Sequence, residues 1–201
     1  MLIDDFTAGP YSSPTLPQNV PSADPQNTRV EHHEASLSKD HVIGGSRRII
    51  LTSRQGNQQV KFAHVSIGNG NLTLCDETSL VTQMQLGYGN GSFANPGGAP
   101  LNLDLTGLMG FRFNFLAIDR ADRLSILVSA LTNAGKSFQG NTARVPQTPF
   151  VNSVFSIDLP FKDIKNNQGS LTGIIDTFFI QCNPPGILDG LSYAIQKIEL
   201  F

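Results

Sequence analysis

The stretch that decides the fold is Leu101–Phe115, which reads LNLDLTGLMGFRFNF. Three leucines alternate with polar residues up to Thr106, and after a turn over Gly107–Gly110 three phenylalanines alternate with Arg112 and Asn114. A period of two is typical of a strand with one dry face and one wet face. The stretch therefore predicts two strands joined by a short turn, in the hydrophobic middle of an antiparallel sandwich.

Short runs of the same kind recur along the whole chain, separated by turn residues. Gln59–Ile67 alternates, Gly68–Asn71 has the composition of a hairpin turn, and Leu124–Ala130 and Leu191–Phe201 are further apolar runs. No repeat, heptad or long helical period accompanies them, and 201 residues suit one well-buried domain. These features predict an all-β fold, a jelly-roll-like antiparallel β-sandwich that forms a single domain over residues 1–201.

Residues 7–40 depart from this pattern. Apolar residues nearly vanish there, and prolines recur at Pro10, Pro14, Pro17, Pro21 and Pro25. Proline cannot donate a hydrogen bond to a strand ladder, so the segment is predicted to be a long Pro-rich loop outside the core. Its tail, Val30–Asp40, is compatible with one helical turn.

The charge balance argues against two classes of partner. Charged residues make up only 15% of the chain and the net charge is −2, so no basic surface is expected that would hold nucleic acid. No apolar run approaches the length of a membrane span. The predicted partners are therefore carbohydrate or another protein.

The compartment stays open between two alternatives. Met1–Phe6 lacks the charged start and apolar core of a signal peptide, so the chain is either cytoplasmic or the mature part of an extracellular or cell-envelope protein. Cys75 and Cys182 lie in strand-like runs, and a disulfide between them would fit an oxidising compartment and contribute about 4 kcal/mol. Two separate buried thiols are the alternative.

Four segments carry a resemblance to a known group. They are Ile3–Phe6, Asp40–Gly45, Ile157–Ile164 and Tyr193–Leu200. Their order resembles galactose-binding-like β-sandwiches, specifically the complex I intermediate-associated protein 30 type and related carbohydrate-binding modules. The middle of the chain also resembles uncharacterised secreted bacterial proteins of this build. The resemblance implies a sandwich fold and a binding role.

The resemblance also implies a structural calcium ion. Relatives that hold one often have an acidic residue in the last strand, where this chain has Gln196. Calcium prefers several oxygen ligands, and Asp4, Asp5 and Glu199 would supply carboxylates if the two terminal strands pair. The alternative is a solvated acidic edge on the first strand.

No pattern of catalytic residues stands out. His32, His33 and Glu34 with His41 lack the spacing of a helix-borne metal motif, so a polar loop is the preferred interpretation. His64 fits a packed or edge position in a strand. Serine residues lack a nucleophile elbow, and no carboxylate pair is marked out for glycoside hydrolysis. The sequence therefore predicts a protein that is not an enzyme.

One glycine-rich segment has residues of the types that bind sugars. Aromatic faces stack on sugar rings and amides supply directed hydrogen bonds, and Tyr88, Asn90, Phe93 and Asn95 lie together in Gly87–Asn95. A flexible glycine loop is the alternative. The leading functional prediction is a non-catalytic, carbohydrate-recognising binding or adhesion module of an extracellular or envelope protein. The alternative is an assembly factor that resembles the complex I-associated group and docks through residues 7–40.

Overall fold

The computed structural model describes residues 1–15, 28–55, 63–76, 80–91, 98–119, 124–142, 154–182 and 192–201. Sixteen strands run through these segments. In chain order they are β1 (Leu2–Asp4), β2 (Tyr11–Ser12), β3 (Thr28–Glu34), β4 (Arg47–Gln55), β5 (Ala63–Gly68), β6 (Asn71–Asp76), β7 (Leu80–Gly89), β8 (Leu103–Asp104), β9 (Gly110–Ile118), β10 (Ile126–Thr132), β11 (Ser137–Asn141), β12 (Phe155–Pro160), β13 (Lys165–Asn166), β14 (Gly169–Ser170), β15 (Ile174–Cys182) and β16 (Tyr193–Leu200). Single 3-10 turns lie at Ile43–Gly45 and Phe161–Asp163. No helix in these segments has the length and apolar character of a membrane span.

The strands form two antiparallel sheets that pack against each other, which confirms the predicted β-sandwich. Sheet A has the order β12-β9-β16-β6-β5-β2, with β1 also beside β16. Sheet B has the order β14-β13-β11-β10-β15-β7-β4-β3, with β8 also beside β15. The two terminal strands pair, since Leu2 lies opposite Glu199 and the backbone N–H of Leu200 donates to the carbonyl of Met1 at 2.7 Å.

The alternating phenylalanines of β9 lie at the centre of the core. Phe111, Phe113 and Phe115 have no exposed surface, as their period of two predicts. The Phe111 ring lies 5.3 Å from Phe178 of sheet B and 5.5 Å from Phe161. This face of β9 therefore joins the two sheets through aromatic contacts.

The first half of the deciding stretch differs from the prediction. Only Leu103–Asp104 forms a strand, although Leu105 is also buried. Gly110 belongs to β9 and not to the turn, and a Cβ at this position would lie 2.6 Å from the carbonyl oxygen of Leu159. Glycine is thus needed at Gly110 for the close approach of β9 and β12.

The prediction of one loop over residues 7–40 is wrong. Tyr11–Ser12 pairs with β5, and Thr28–Glu34 is a full strand that pairs with β4 along its whole length. Of Val30–Asp40, which is compatible with one helical turn, the first part is strand and only the end turns, where the backbone N–H of Val42 donates to the carbonyl of Ser38 at 3.0 Å. Residues 16–27 lie outside the described part of the chain.

The two cysteines occupy different sheets. Cys75 is exposed on β6 of sheet A, whereas Cys182 is buried on β15 of sheet B, and both are free thiols. Burial raises the pKa of the Cys182 thiol to about 12. Of the two alternatives, the structure shows separate thiols, of which one is buried.

Candidate ligand-binding face

The outer face of sheet B presents a row of side chains that crosses six strands. Residues directly opposite each other in an antiparallel pair point to the same side of the sheet. The core-facing partners on β15 and β7 are Phe178 and Tyr88. The adjacent pair, Phe179 and Gly87, therefore points outward. The outward row runs from β11 to β3 through Gln139, Ser129, Phe179, Gly87, Arg48 and His33.

The middle of this outer row is recessed although it does not face the core, whereas Gln139 and His33 at its ends are exposed. Arg48 is only 6% exposed and Ser129 only 9% exposed, whereas residues on the open face of a sheet are usually well solvated. A cleft of about 350 Å³ opens beside Ser129, with Asn90, Thr177 and Phe179 also in its wall. The Phe179 ring stands at the boundary between this cleft and the centre of the row.

Amide side chains flank Phe179 on both sides. Gln85 Nε2 donates to Gln181 Oε1 at 3.1 Å, one step along the strands from Phe179. On the other side Gln139 Nε2 donates to Ser129 Oγ at 3.2 Å. An amide offers two donors and an acceptor with two lone pairs, so these contacts use only part of the capacity of each pair.

Charged side chains occupy the β3 end of the face. Glu31 accepts hydrogen bonds from Arg29 at 2.6 Å and from Arg48 Nε at 2.9 Å, and its Oε1 lies 2.6 Å from His33 Nε2. Burial acts to raise the pKa of Glu31, but the hydrogen bonds from these three side chains outweigh it and lower the pKa to about 2. Glu31 therefore stays ionised and holds Arg48 in place in the outer row, beyond Gly87 from Phe179.

The structure separates the residues predicted for sugar binding. Tyr88 lies in β7 and not in a loop, its side chain has no exposed surface, and its hydroxyl donates to Asp4 at 2.9 Å. The predicted loop position of Tyr88 is thus wrong, and its buried ring has no face open to a ligand. Asn90 is exposed and lines the cleft next to Phe179. Phe93 and Asn95 lie outside the described residues.

The three carboxylates predicted for calcium go to three different partners. Asp4 is fully buried and both of its oxygens accept hydrogen bonds from Arg47. Asp5 binds His41 and Thr7, while Glu199 points to the outer face of sheet A, where it accepts from Lys197 at 2.8 Å. Within the described segments no three His, Cys, Asp or Glu side chains form a group suited to a metal ion. These residues do not fit a shared calcium site.

The histidines are held by strands and not by a polar loop. His32 and His33 point to opposite sides of β3, and the His32 ring stacks on Tyr11 with centroids 4.0 Å apart. His64 lies on the outer side of β5, where Nε2 is 2.9 Å from Ser12 Oγ. His64 is therefore a half-buried residue of a strand that lies between β6 and β2, whereas the loop predicted around His32 is a strand.

Thr7, His41 and Asp5 come together without forming a catalytic relay. His41 Nδ1 lies 2.8 Å from both Thr7 Oγ1 and Asp5 Oδ2, and Thr7 Oγ1 donates to Asp5 Oδ1 at 2.6 Å. A nucleophile–histidine–carboxylate relay uses the two ring nitrogens separately. Here both partners contact the same nitrogen, so the group acts as a tie between residues 5–7 and residue 41.

We expect this tie to be visible in the pH dependence of His41. The hydrogen bond to Asp5 raises the pKa of His41 above its usual 6.5, so the stability that this contact adds is complete below pH 6.5 and is lost as the pH rises through the raised pKa. Burial acts to raise the pKa of Asp5, but its bonds to His41 and Thr7 outweigh burial and lower it, so the contribution of Asp5 is lost as the pH falls through that lowered value. Nuclear magnetic resonance titration of the imidazole should show the raised pKa, and Asp5→Asn should bring it down. A His41 pKa that Asp5→Asn leaves unchanged would contradict the contact.

A second, larger cleft lies at one end of the sandwich. Its volume is about 740 Å³, and its wall is chiefly apolar, formed by Leu105, Leu108, Met109, Phe161, Leu171 and Phe201. One of its hydroxyls, Ser170 Oγ, is already committed to the carbonyl oxygen of Lys162 at 3.0 Å. Thr106, Lys162 and Thr172 also line this cleft, so polarity alone does not separate the two clefts as sites for a hydroxylated ligand. The smaller cleft is distinguished by its continuity with the outer row of sheet B through Ser129 and Phe179.

Nothing in the sequence patterns above singled out Phe179, Gln85 or Gln181. The available signal is the alternation in Leu80–Gly89, where Gln83 and Gln85 alternate with Met84 and Leu86. That pattern predicts a strand with an amide-bearing outer face. It does not tell which neighbouring strands lie beside it, and the face exists only once β15 and β10 are placed.

No family model matches this sequence, and no curated protein matches it. Among solved structures, the chain is similar to the family 11 carbohydrate-binding module from Clostridium thermocellum in complex with a β-1,3-1,4-mixed-linked tetrasaccharide, with 12% identity, a TM-score of 0.42, and coverage of 100% of this chain and 94% of that one. A family 29 module complexed with mannohexaose gives 11% identity, a TM-score of 0.36, and coverage of 87% and 92%. A family 61 module in complex with β-1,4-galactotriose gives 12% identity, a TM-score of 0.33, and coverage of 75% and 81%. These scores reflect a loose similarity that does not extend to the placing of individual side chains.

Proposed function

We propose that the outer face of sheet B binds carbohydrate and that the protein acts as a binding module. The observation that carries the proposal is the position of Phe179, a partly exposed ring in a recessed row of amide, hydroxyl and guanidinium side chains. Sugars are recognised by an aromatic face against their apolar ring surface together with a few directed hydrogen bonds. The face supplies both kinds of contact around one cleft.

The shape of the row favours an extended oligosaccharide over a single sugar. Six neighbouring strands contribute to it, and at the usual spacing of strands this corresponds to roughly 24 Å. Hydrogen-bonding groups are distributed along that length, from Gln139 at one end to the Glu31–Arg48 pair at the other. A chain of sugars lying across the strands would meet polar groups at several positions.

Isothermal titration calorimetry with a panel of soluble oligosaccharides tests the proposal. The panel includes mixed-linked β-glucan tetrasaccharide, mannohexaose and β-1,4-galactotriose. Phe179→Leu keeps an apolar side chain but removes the ring, and it should weaken binding by about fivefold, since a stacked ring contributes on the order of 1 kcal/mol. Gln181→Ala should weaken binding too, because it removes an amide beside the ring.

The matched control lies on the opposite side of the molecule. Arg112 is on the outer face of sheet A, paired with Asp158, and Arg112→Ala should leave binding unchanged. The proposal fails if the parent protein binds none of the oligosaccharides, or if Arg112→Ala weakens binding while Phe179→Leu does not.

A further inference from the structure

The guanidinium of Arg47 is enclosed by oxygen atoms between the two sheets. Arg47 Nη1 donates to both carboxylate oxygens of Asp4, at 2.9 and 2.8 Å. Nε donates to Glu34 Oε2 at 2.7 Å, and Nη2 donates to the backbone carbonyls of Ala8 and Gly9 at 2.9 and 3.2 Å. The Arg47 and Asp4 side chains have no exposed surface. The surroundings of the charge are therefore two carboxylates and two carbonyl oxygens.

We propose that this is an oxygen-lined cation site in which the chain's own Arg47 is the resident cation. Carboxylates and backbone carbonyls are the ligands that hard cations such as Ca²⁺ take in proteins. A guanidinium has five N–H donors, and those of Arg47 are used on the oxygens just named. The positive charge that a bound metal ion would supply to such a set of oxygens is here carried by a side chain of the protein.

The partners of Arg47 explain what the site holds together. Asp4 comes from β1 in sheet A, Glu34 from β3 at the edge of sheet B, and Arg47 itself from β4. The connection after β1 supplies the carbonyl of Gly9, whose φ of +66° is a backbone conformation that favours glycine. A single charge thus ties the first strand to both strands at one edge of sheet B.

Two further hydrogen bonds to Asp4 complete the site. Tyr88 donates its hydroxyl to Asp4 Oδ2 at 2.9 Å, and the backbone N–H of Phe6 donates to Asp4 Oδ1 at 2.9 Å. The Phe6 ring lies 5.7 Å from the Arg47 guanidinium carbon. These contacts fix the carboxylate oxygens in positions that face the cation, so the site is built in advance and does not depend on a mobile loop.

Two properties follow from this assignment. The parent protein should not gain stability from Ca²⁺, because both Asp4 oxygens, Glu34 Oε2 and the carbonyls of Ala8 and Gly9 are already bound to Arg47. Shortening Arg47 should leave two buried carboxylates and two carbonyls without a cation, which is costly unless a cation from solution enters. The stability of Arg47→Ala should therefore depend on Ca²⁺, since a ligand that binds only the folded state raises the melting temperature with its concentration.

Thermal unfolding followed by circular dichroism, in EDTA and in rising CaCl₂, tests both properties. The parent protein should melt at the same temperature in all conditions. Arg47→Ala should melt far lower in EDTA and should recover by several degrees with Ca²⁺, in a saturable manner. Arg112→Ala is the matched control, because Arg112 also makes a two-bond pair with an aspartate, Asp158, but at the surface; its melting temperature should not respond to Ca²⁺.

Each other outcome overturns the proposal. A parent protein that melts several degrees lower in EDTA than in CaCl₂ would mean that a metal ion, and not Arg47, supplies the structural charge. Arg47→Ala protein that is unfolded in EDTA is titrated during refolding with CaCl₂ and, separately, with methylguanidinium, which restores the missing group. If neither cation restores folding or raises the melting temperature, the oxygens around Arg47 do not form a cation site.

Discussion

Replacing Asp4 with alanine is expected to lower the free energy of unfolding by about 3–5 kcal/mol, because it leaves a buried guanidinium without its main counter-charge. Burial alone would lower the pKa of Arg47, but Asp4, Tyr88 and Glu34 together outweigh it, so that the pKa is raised and the side chain stays charged. The variant thus keeps the desolvation cost of Arg47 and loses two of the five hydrogen bonds that offset it. Urea denaturation followed by intrinsic fluorescence or circular dichroism measures the loss.

The control for Asp4→Ala is the same change in the exposed arginine–aspartate pair. Asp158 makes two bonds of 2.8 Å to Arg112, and the two side chains are 39% and 37% exposed. A pair open to water contributes little, so Asp158→Ala should cost only a small fraction of the Asp4→Ala effect. Equal losses in the two variants would show that burial does not distinguish the pairs.

The second large effect is expected at Phe113, the middle phenylalanine of β9. Phe113→Ala should lower the free energy of unfolding by about 3–5 kcal/mol, because the ring is fully buried and its removal leaves a cavity with dry neighbours on both sides. Its position opposite Ile157 and Ile198, on the two strands that flank β9, limits how far the surroundings can close the gap. Denaturant midpoints at an unchanged m-value would give the cost directly.

Met109→Ala serves as the comparison for Phe113→Ala. Met109 is 65% exposed at the turn before β9, so its truncation removes little buried apolar surface and should change stability only slightly. If Phe113→Ala were silent and Met109→Ala severe, the assignment of dry and wet positions around β9 would be reversed.

The strands with apolar inner faces were predictable from the sequence, and β9 shows why. Every second residue from Phe111 to Phe115 is apolar and buried, so the period of two directly reports which side faces the core. The hairpin between β5 and β6 was predictable on other grounds. Asn69 and Gly70 have φ values of 53° and 72°, which Asn-Gly turns adopt at little cost.

Apolar alternation did not predict strand β3, because the inner face of this strand is polar. Glu34 points inward to Arg47, and His32 points inward to stack on Tyr11. Apolar alternation is therefore missing, and the segment has the composition of a loop. Its place as a strand depends on the ion pair, which only the fold brings together.

The glycines around Tyr88 led to the wrong prediction of a loop for a related reason. Gly87 and Gly89 suggest a loop, but both lie in β7. Gly89 has a φ of +87°, and a Cβ there would lie 3.0 Å from Leu101. Gly87 lies opposite Phe179 on the outer face. These glycines serve close packing, and the tyrosine between them turns to the core, which one-dimensional composition does not reveal.

The pairing of β1 with β16 also sets how the domain would respond to mechanical load. The amino group of Met1 donates to the carbonyl of Leu200 at 2.6 Å, so the start of β1 lies beside the end of β16. Force applied through segments attached at these two points would pull the strands apart sideways, breaking their hydrogen bonds one after another and not all at once. Peeling of β1 would proceed as far as Asp4, where the next contact to give way is the buried bond to Arg47. The bond between Asp4 and Arg47 would therefore resist further separation of the strands.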